Sequence, residues 1–309
     1  MRATRDAYGE TLASMKDKNI VVLDADLSES TRTRKFAEKH PGRFFDFGIA
    51  EANMMSTAAG LATTGKIVFA STFACFASAR ALDQIRVSIC YSNVNVKVCA
   101  THAGLTIGED GATHQALSDI AIMRSMPNLK VFVPADPNET EQIIRWLVKD
   151  VGPSYVRLGR NKIPDLHEKF GKQYQTKFTY GRAQKLMDGK DATIIACGYM
   201  VEKAMEAAMK LMEHKIYVTV LNMSTLKPLD ERAILRCPRP IVTVEEGQLN
   251  SGFGNAVAAL LCERLGNKNT QMIRLGVDNQ FGQSGDGEGL LKEYHLQAEN
   301  IVHAVRRLV

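Results

Sequence analysis

The chain alternates short β-branched runs with longer stretches of helical character. Asn19–Asp24 (NIVVLD) reads as a buried strand, because an unbroken apolar run needs cover on both faces. Glu51–Thr64, rich in Ala and Met, reads as a buried helix. Lys66–Ala70 is a second strand, and a helix follows around Ser78–Tyr91. Asn95–Ala100 and Leu129–Val133 are further strands. Pro134–Asn138 (PADPN) reads as a turn and Glu139–Lys149 as an amphipathic helix. Ser154–Leu158 closes this half. Such alternation predicts a mostly parallel sheet.

Residues 161–180 are polar and lysine-rich, and read as a linker over the surface. A second alternation follows. Strands are expected at Ala192–Cys197, Ile216–Leu221, Ile241–Val244 and Gln271–Leu275. Helices are expected at Met200–His214, Phe253–Leu265 and Ala298–Leu308. The fold class is therefore α/β, with two domains, each a mostly parallel sheet flanked by helices. The expected bounds are 1–165 and 181–309, joined by a linker at 166–180. A length of 309 residues suits two domains of roughly 150 residues.

Composition narrows the function classes. Charged residues (24%) and hydrophobic residues (45%) stand at ordinary values for folded domains. The net charge of +5 is spread along the chain without a polybasic block, so nucleic acid is not an expected partner. A local basic pocket for an anion stays open. The start, MRATRDAYGETL, has no apolar leader core. No stretch reaches the roughly 18 apolar residues of a membrane span. Six scattered cysteines without a C-x-x-C pair predict reduced, buried thiols in a cytoplasmic protein.

Candidate chemistry sits at expected strand ends, where parallel α/β sheets bind ligands. Asp24 and Asp26 follow the first strand, and His102 follows NVKVCA. The glycine-rich GLTIGEDGATHQ then carries Glu109, Asp110 and His114. His102 and His114 lack a further His/Cys cluster, so no metal site is expected on this chain. Glu51 stands at the head of a helix of small apolar residues. It is either a carboxylate stabilised by the helix dipole or a group that holds and passes a proton. Gly285-Asp286-Gly287 spells the G-D-G of a metal–diphosphate motif but lacks the following Asn. It reads instead as a glycine-rich loop before the last helices. Neither G-x-G-x-x-G after a strand nor a P-loop is present.

DFGIAEANM, STFACF, THAGLTIGEDGATHQ and MPNLKVFVPADPNET, in this order and spacing, resemble transketolase. The similarity is to its pyrimidine-binding and C-terminal domains and covers essentially the whole chain. Thr4-Arg5 and VLDADLSES match the start of that portion, and VEEGQLNSGFGNAV matches its last domain. Transketolases also carry a domain that binds the diphosphate of thiamine diphosphate and Mg²⁺. The resemblance therefore implies one subunit of a split transketolase, with Met1 as a natural start. A separate partner chain would supply the diphosphate and Mg²⁺ site. Two such chains would pair within an α2β2 assembly acting on sugar phosphates.

The resemblance also assigns roles. Glu51 matches the glutamate that hydrogen-bonds the aminopyrimidine ring and favours its imino tautomer. Phe73 and Phe76 match aromatics of the pyrimidine pocket, and Asp26 an aspartate near the cofactor at the subunit interface. His114 matches a residue beside the donor carbonyl and Asp110 one that holds a substrate hydroxyl. His102, Arg160, Arg5 and Ser30 match contacts to the substrate phosphate, with Arg157 as a neighbour of that set. The chain departs from the family at Ala112, usually Pro, at Ala52, usually Gln or His, and after His114. Three other readings stay in view: a beta-type subunit of a 2-oxo acid dehydrogenase, a deoxyxylulose-phosphate-synthase-like enzyme, and a non-catalytic assembly paralogue.

Overall fold

A computed structural model describes residues 1–265 and 271–309. In chain order its strands begin with β1 (Arg2–Ala3), β2 (Ile20–Asp24), β3 (Phe44–Asp46), β4 (Ile67–Phe73), β5 (Val96–Thr101), β6 (Lys130–Phe132) and β7 (Ser154–Arg157). They continue with β8 (Lys162–Ile163), β9 (Gln184–Met187), β10 (Ala192–Ala196), β11 (Val218–Asn222), β12 (Thr225–Lys227), β13 (Ile241–Gln248) and β14 (Met272–Val277). The first large sheet has the order β12-β6-β7-β5-β4-β2-β3, and the second β14-β13-β10-β11-β9. Every pairing in the first is parallel except β12 with β6. In the second, among the described residues, only β9 runs antiparallel. The two-sheet α/β architecture expected from the sequence is the one observed.

Strands β2 and β5 are buried along their whole length, which suits the apolar run of β2; in β5 the buried Lys97 is satisfied by the Asp150 and Gly152 carbonyls. The halves are interlocked. Strand β12, from the second half, closes the edge of the first sheet, with Thr225 opposite Phe132. One apolar core also runs through both, joining Leu23 and Val98 to Leu221 and Phe253. On the other side of the first sheet, Tyr8, Phe69 and Phe132 pack against Ile143 and Ile144 of helix Pro137–Leu147.

Three local expectations change. PADPN is the start of a helix: Asp136 caps it, accepting from the Glu139 N–H at 2.8 Å, and Pro137 opens it. The helix expected over 78–91 is wound as π-turns at Phe76–Arg80 and Ile85–Tyr91 with a short α-turn between. The polar stretch after β8 is anchored inward. Leu166 and Thr176 are buried, and both donate to Asp136. Among the described residues no cysteine is in a disulfide; Cys262 is exposed and Cys75 half-buried. No helix of the described residues is long and apolar enough to cross a membrane.

The halves meet around Arg157, which is 6% exposed. Its Nε donates to Asp119 Oδ2 at 2.9 Å, and Nη2 donates to the carbonyls of Ala116 and Glu246. Burial opposes this charge, but Asp119 and Glu246 outweigh it and raise the Arg157 pKa. Asp119→Ala should cost about 3–5 kcal/mol, because it leaves a buried cation without its carboxylate. Asp83→Ala, which removes only an exposed pair with Arg86, should cost less than about 0.5 kcal/mol. Urea denaturation compares them, and equal midpoints would refute the importance of the Arg157 pair.

Candidate active site

The first sheet is parallel through β7, β5, β4, β2 and β3, so their carboxyl ends share one edge. Asp24, Asp46, Phe73, His102 and the segment leading to Arg160 emerge there. After β3 the chain turns at Gly48, whose φ of +65° suits glycine, and enters helix Glu51–Thr63. Glu51 is thus at a helix N-terminus, where a carboxylate is favoured. It is only 2% exposed. Oε1 accepts from Arg80 Nη1 at 2.8 Å, while among the described residues nothing donates to the buried Oε2.

An aromatic wall adjoins it. The Phe73 and Phe76 rings lie 5.8 Å apart and nearly parallel. His102 stacks on Phe73 at 3.8 Å, and His114 stands edge-on to both phenylalanines at 6.1 and 5.4 Å. The Arg80 guanidinium covers Phe76 at 4.1 Å, so one residue links the carboxylate to the wall. Arg80 and Phe76 are the two ends of a π-turn, whose wider winding brings both to the pocket. Sequence reasoning did not single out Arg80, since no motif marks a residue whose partner lies on another helix.

The opposite side is basic. Arg5 Nη1 donates to the Ser30 carbonyl at 3.0 Å and lies 2.8 Å from His102 Nε2. Its Nε is buried and unpaired among the described residues. Burial, with Arg32 and Arg160 nearby, lowers the Arg5 pKa to about 10. Arg5 is donor-only, so His102 Nε2 must accept. The proton therefore sits on Nδ1 and is donated to Thr101 Oγ1 at 2.8 Å. Burial, reinforced by Arg5 and Arg160, pushes the His102 pKa down to about 3. Arg160 Nη1 donates to the Ile107 carbonyl and to Glu109 Oε2 at 2.6 Å.

The remaining candidates divide. Glu51, Phe73, Phe76, His102 and His114 form one wall, and Arg5, Ser30 and His102 one cluster that Arg160 flanks. Asp110 is exposed, on the glycine-rich loop, and its charge is felt at Arg5. Asp26 is exposed at φ +62°, its N–H donating to Asp46 Oδ1. Arg157 is not part of the basic cluster, because Asp119 and two carbonyls hold it in the interior. Asp24 is structural: it accepts from the Leu27 N–H and the Thr31 and Thr33 hydroxyls, and burial pushes its pKa up to about 6. The Gly285-Asp286-Gly287 stretch packs on the site loop. A Cβ on Gly111 would lie 2.4 Å from Ser284 Oγ, and Asp286 caps helix Gly287–Glu293. Among the described residues, no cluster of three or more His, Cys, Asp or Glu side chains could hold a metal.

The neutral His102 has a measurable signature. Its folded pKa of about 3 lies below the ordinary 6.5, so below pH 6.5 the unfolded chain takes up a proton the folded chain refuses. Stability is thus lost as pH falls from about 6.5 towards 3. From pH 7.5 to 5 this group alone should remove about 2 kcal/mol. His102→Gln should shed that loss, which denaturant midpoints at the two pH values would reveal. The same pH dependence in both proteins would refute a neutral His102.

Comparison with known proteins gives this geometry its context. Residues 1–165 match the family described as transketolase, pyrimidine binding domain, and residues 181–301 the one described as transketolase, C-terminal domain. The chain is 36% identical over 306 residues to an apulose-4-phosphate transketolase subunit of Phocaeicola vulgatus, covering 97% of this chain and 96% of that one. It is 38% identical over 316 residues to rat (Rattus norvegicus) transketolase, covering 99% of this chain but 49% of that longer protein. A solved split-gene transketolase, described as an inactive beta4 tetramer, superposes with a TM-score of 0.89 at 45% identity, covering 99% of this chain and 98% of that one. The chain belongs to the transketolase family and comprises its pyrimidine-binding and C-terminal domains.

Proposed function

We propose that this chain is the pyrimidine-holding subunit of a two-chain transketolase. With a separate chain that binds the diphosphate and Mg²⁺, it moves a two-carbon ketol unit from a ketose phosphate to an aldose phosphate. The observation that carries this reading is the buried Glu51 Oε2, unpartnered among the described residues, beside the paired Phe73 and Phe76 rings. A carboxylate free at one oxygen and walled by aromatics fits the aminopyrimidine of thiamine diphosphate. When bound, that cofactor supplies the electron sink for the two-carbon unit.

This chain's own residues do the rest. Glu51 holds and returns a proton at the ring nitrogen, with Arg80 fixing its other oxygen. His114 and Asp110 serve the carbonyl and a hydroxyl of the ketose. Arg5, Ser30, His102 and Arg160 receive the phosphate, where guanidinium groups match its oxygens. Asp26 faces the cofactor near the subunit boundary.

Partner dependence has its own support. Ile49 and Phe45, just ahead of Glu51, are 76% and 47% exposed. The outer positions of the following helix, Asn53, Ser56, Gly60 and Thr63, carry no charge. Such a face beside the site suits cover by another subunit. The inactive state of the similar beta4 tetramer agrees with it. Two of these chains with two partners complete the assembly.

The test is reconstitution with a co-purifying chain that bears G-D-G and its metal-binding Asn. The complex should convert xylulose 5-phosphate and ribose 5-phosphate, and the chain alone with cofactor and Mg²⁺ should not. Glu51→Gln should lower turnover by at least about 10²-fold while the assembly stays intact by sedimentation. Consumption of pyruvate without activity on xylulose 5-phosphate would favour a 2-oxo acid enzyme and reject the proposal.

A further inference from the structure

Arg32 lies in a segment built with unusual care. Its neighbours Thr31 and Thr33 both donate their hydroxyls to the buried Asp24 Oδ2, at 2.6 and 2.8 Å. Between them Arg32 adopts φ +69°, a backbone conformation unfavourable for a long side chain. The helix Thr4–Ala13 makes room for it. A Cβ on Gly9 would lie 2.5 Å from both the Cβ and the carbonyl oxygen of Arg32. Arg32 Nε donates to Asp6 Oδ1 at 2.7 Å, and Nη1 to the Glu29 carbonyl. The guanidinium is therefore fixed one helix position from Arg5 and two residues from Ser30, and it remains one-third exposed.

Among the described residues this cluster has fewer ion pairs than guanidiniums. Asp6 serves Arg32 and Glu109 serves Arg160. Arg5 has no carboxylate partner among the described residues, and its buried Nε is unpaired. The adjacent His102 accepts from Arg5 and adds no neutralising charge. Three guanidiniums with two ion-paired carboxylates leave an excess of positive charge, which favours an anion over a neutral hydroxyl.

We propose that Arg32 is a specificity-determining residue, the third guanidinium of a phosphate site shared with Arg5 and Arg160. This rests on the reading that sugar phosphates enter the pocket. The fixed backbone and the Asp6 anchor present the Arg32 charge already oriented, so binding orders little. Arg32 then favours phosphorylated over unphosphorylated ligands through its charge.

The test uses inorganic phosphate titrated onto the full chain by calorimetry, without a partner. Arg32→Gln should weaken phosphate binding about tenfold, and Arg32→Lys should recover most of it. Equal thermal midpoints exclude misfolding. In the reconstituted complex, Arg32→Gln should raise KM for a ketose phosphate and leave its kcat within about twofold. The kcat/KM ratio of phosphorylated to unphosphorylated ketol donor should fall about tenfold. Equal phosphate affinity in Arg32→Gln and wild type, no phosphate binding by wild type, or equal losses on both donors would each overturn the proposal. If the wild-type complex turns over no sugar phosphate while Arg32→Gln still loses phosphate binding, the transketolase reading fails and the anion site stands.

Discussion

The buried pairing of Arg157 with Asp119 is the constraint on which the site depends. Arg157 ends strand β7 in the first half, and its guanidinium reaches the Glu246 carbonyl in the second. Glu246 in turn accepts the Thr106 N–H at the base of the loop that carries Asp110 and His114. Asp119, at the far end of that loop, also takes the Tyr155 hydroxyl. One desolvated cation thus clamps both ends of the glycine-rich loop to the body of the molecule. The loop glycines can then adopt left-handed conformations and approach the backbone of Ser284 and Gly285 without the segment losing its place. The C-terminal domain, through β13 and residues 282–289, is the floor beneath the site.

The pocket is divided electrically, and His102 is the divider. One face of its ring lies on Phe73, beside the wall that adjoins Glu51. Its Nε2 turns to Arg5 in the basic half. An imidazolium there would repel Arg5 and could not accept its hydrogen bond. A neutral ring does both jobs, standing between the Glu51 side of the pocket and a cluster of guanidiniums. Among the described residues Arg80 is the one arginine that Glu51 retains, and it sits on the outer side, over Phe76.

What the sequence made legible follows from locality. Strands β2 and β10 are short, mostly apolar runs, and burial on both faces leaves that trace in adjacent residues. Glu51 was legible as an anomaly, a carboxylate in a helix of Ala and Met. The loop of Glu109, Asp110 and His114 was legible because its glycines and polar groups are contiguous. Residues whose meaning depends on distant partners were not. Arg157 reads as surface charge or a ligand contact until Asp119, far away in sequence, is seen beside it. Asp24 and Asp26 look equivalent in VLDADL, yet the first is buried among hydroxyls and the second is exposed. Arg32 and Arg80 act through groups on other elements, and PADPN hides a helix start behind two prolines. Strand β12 has too few residues for any pattern, and its role comes wholly from the edge it meets.

That edge strand bears on how the chain comes into being. Strand β6 pairs with β7 on one side and waits on the other for Thr225–Lys227. During synthesis the first half can form its parallel strands while one flank of β6 stays open, offering unpaired backbone groups to any passing strand. Closure comes only after β11 has emerged, because β12 follows it directly. The second half therefore acts as a late-arriving chaperone for the first, built into the same polypeptide. A cut between the halves would leave each with exposed, adhesive backbone. Two domains that look separable by sequence are, as a folding unit, one.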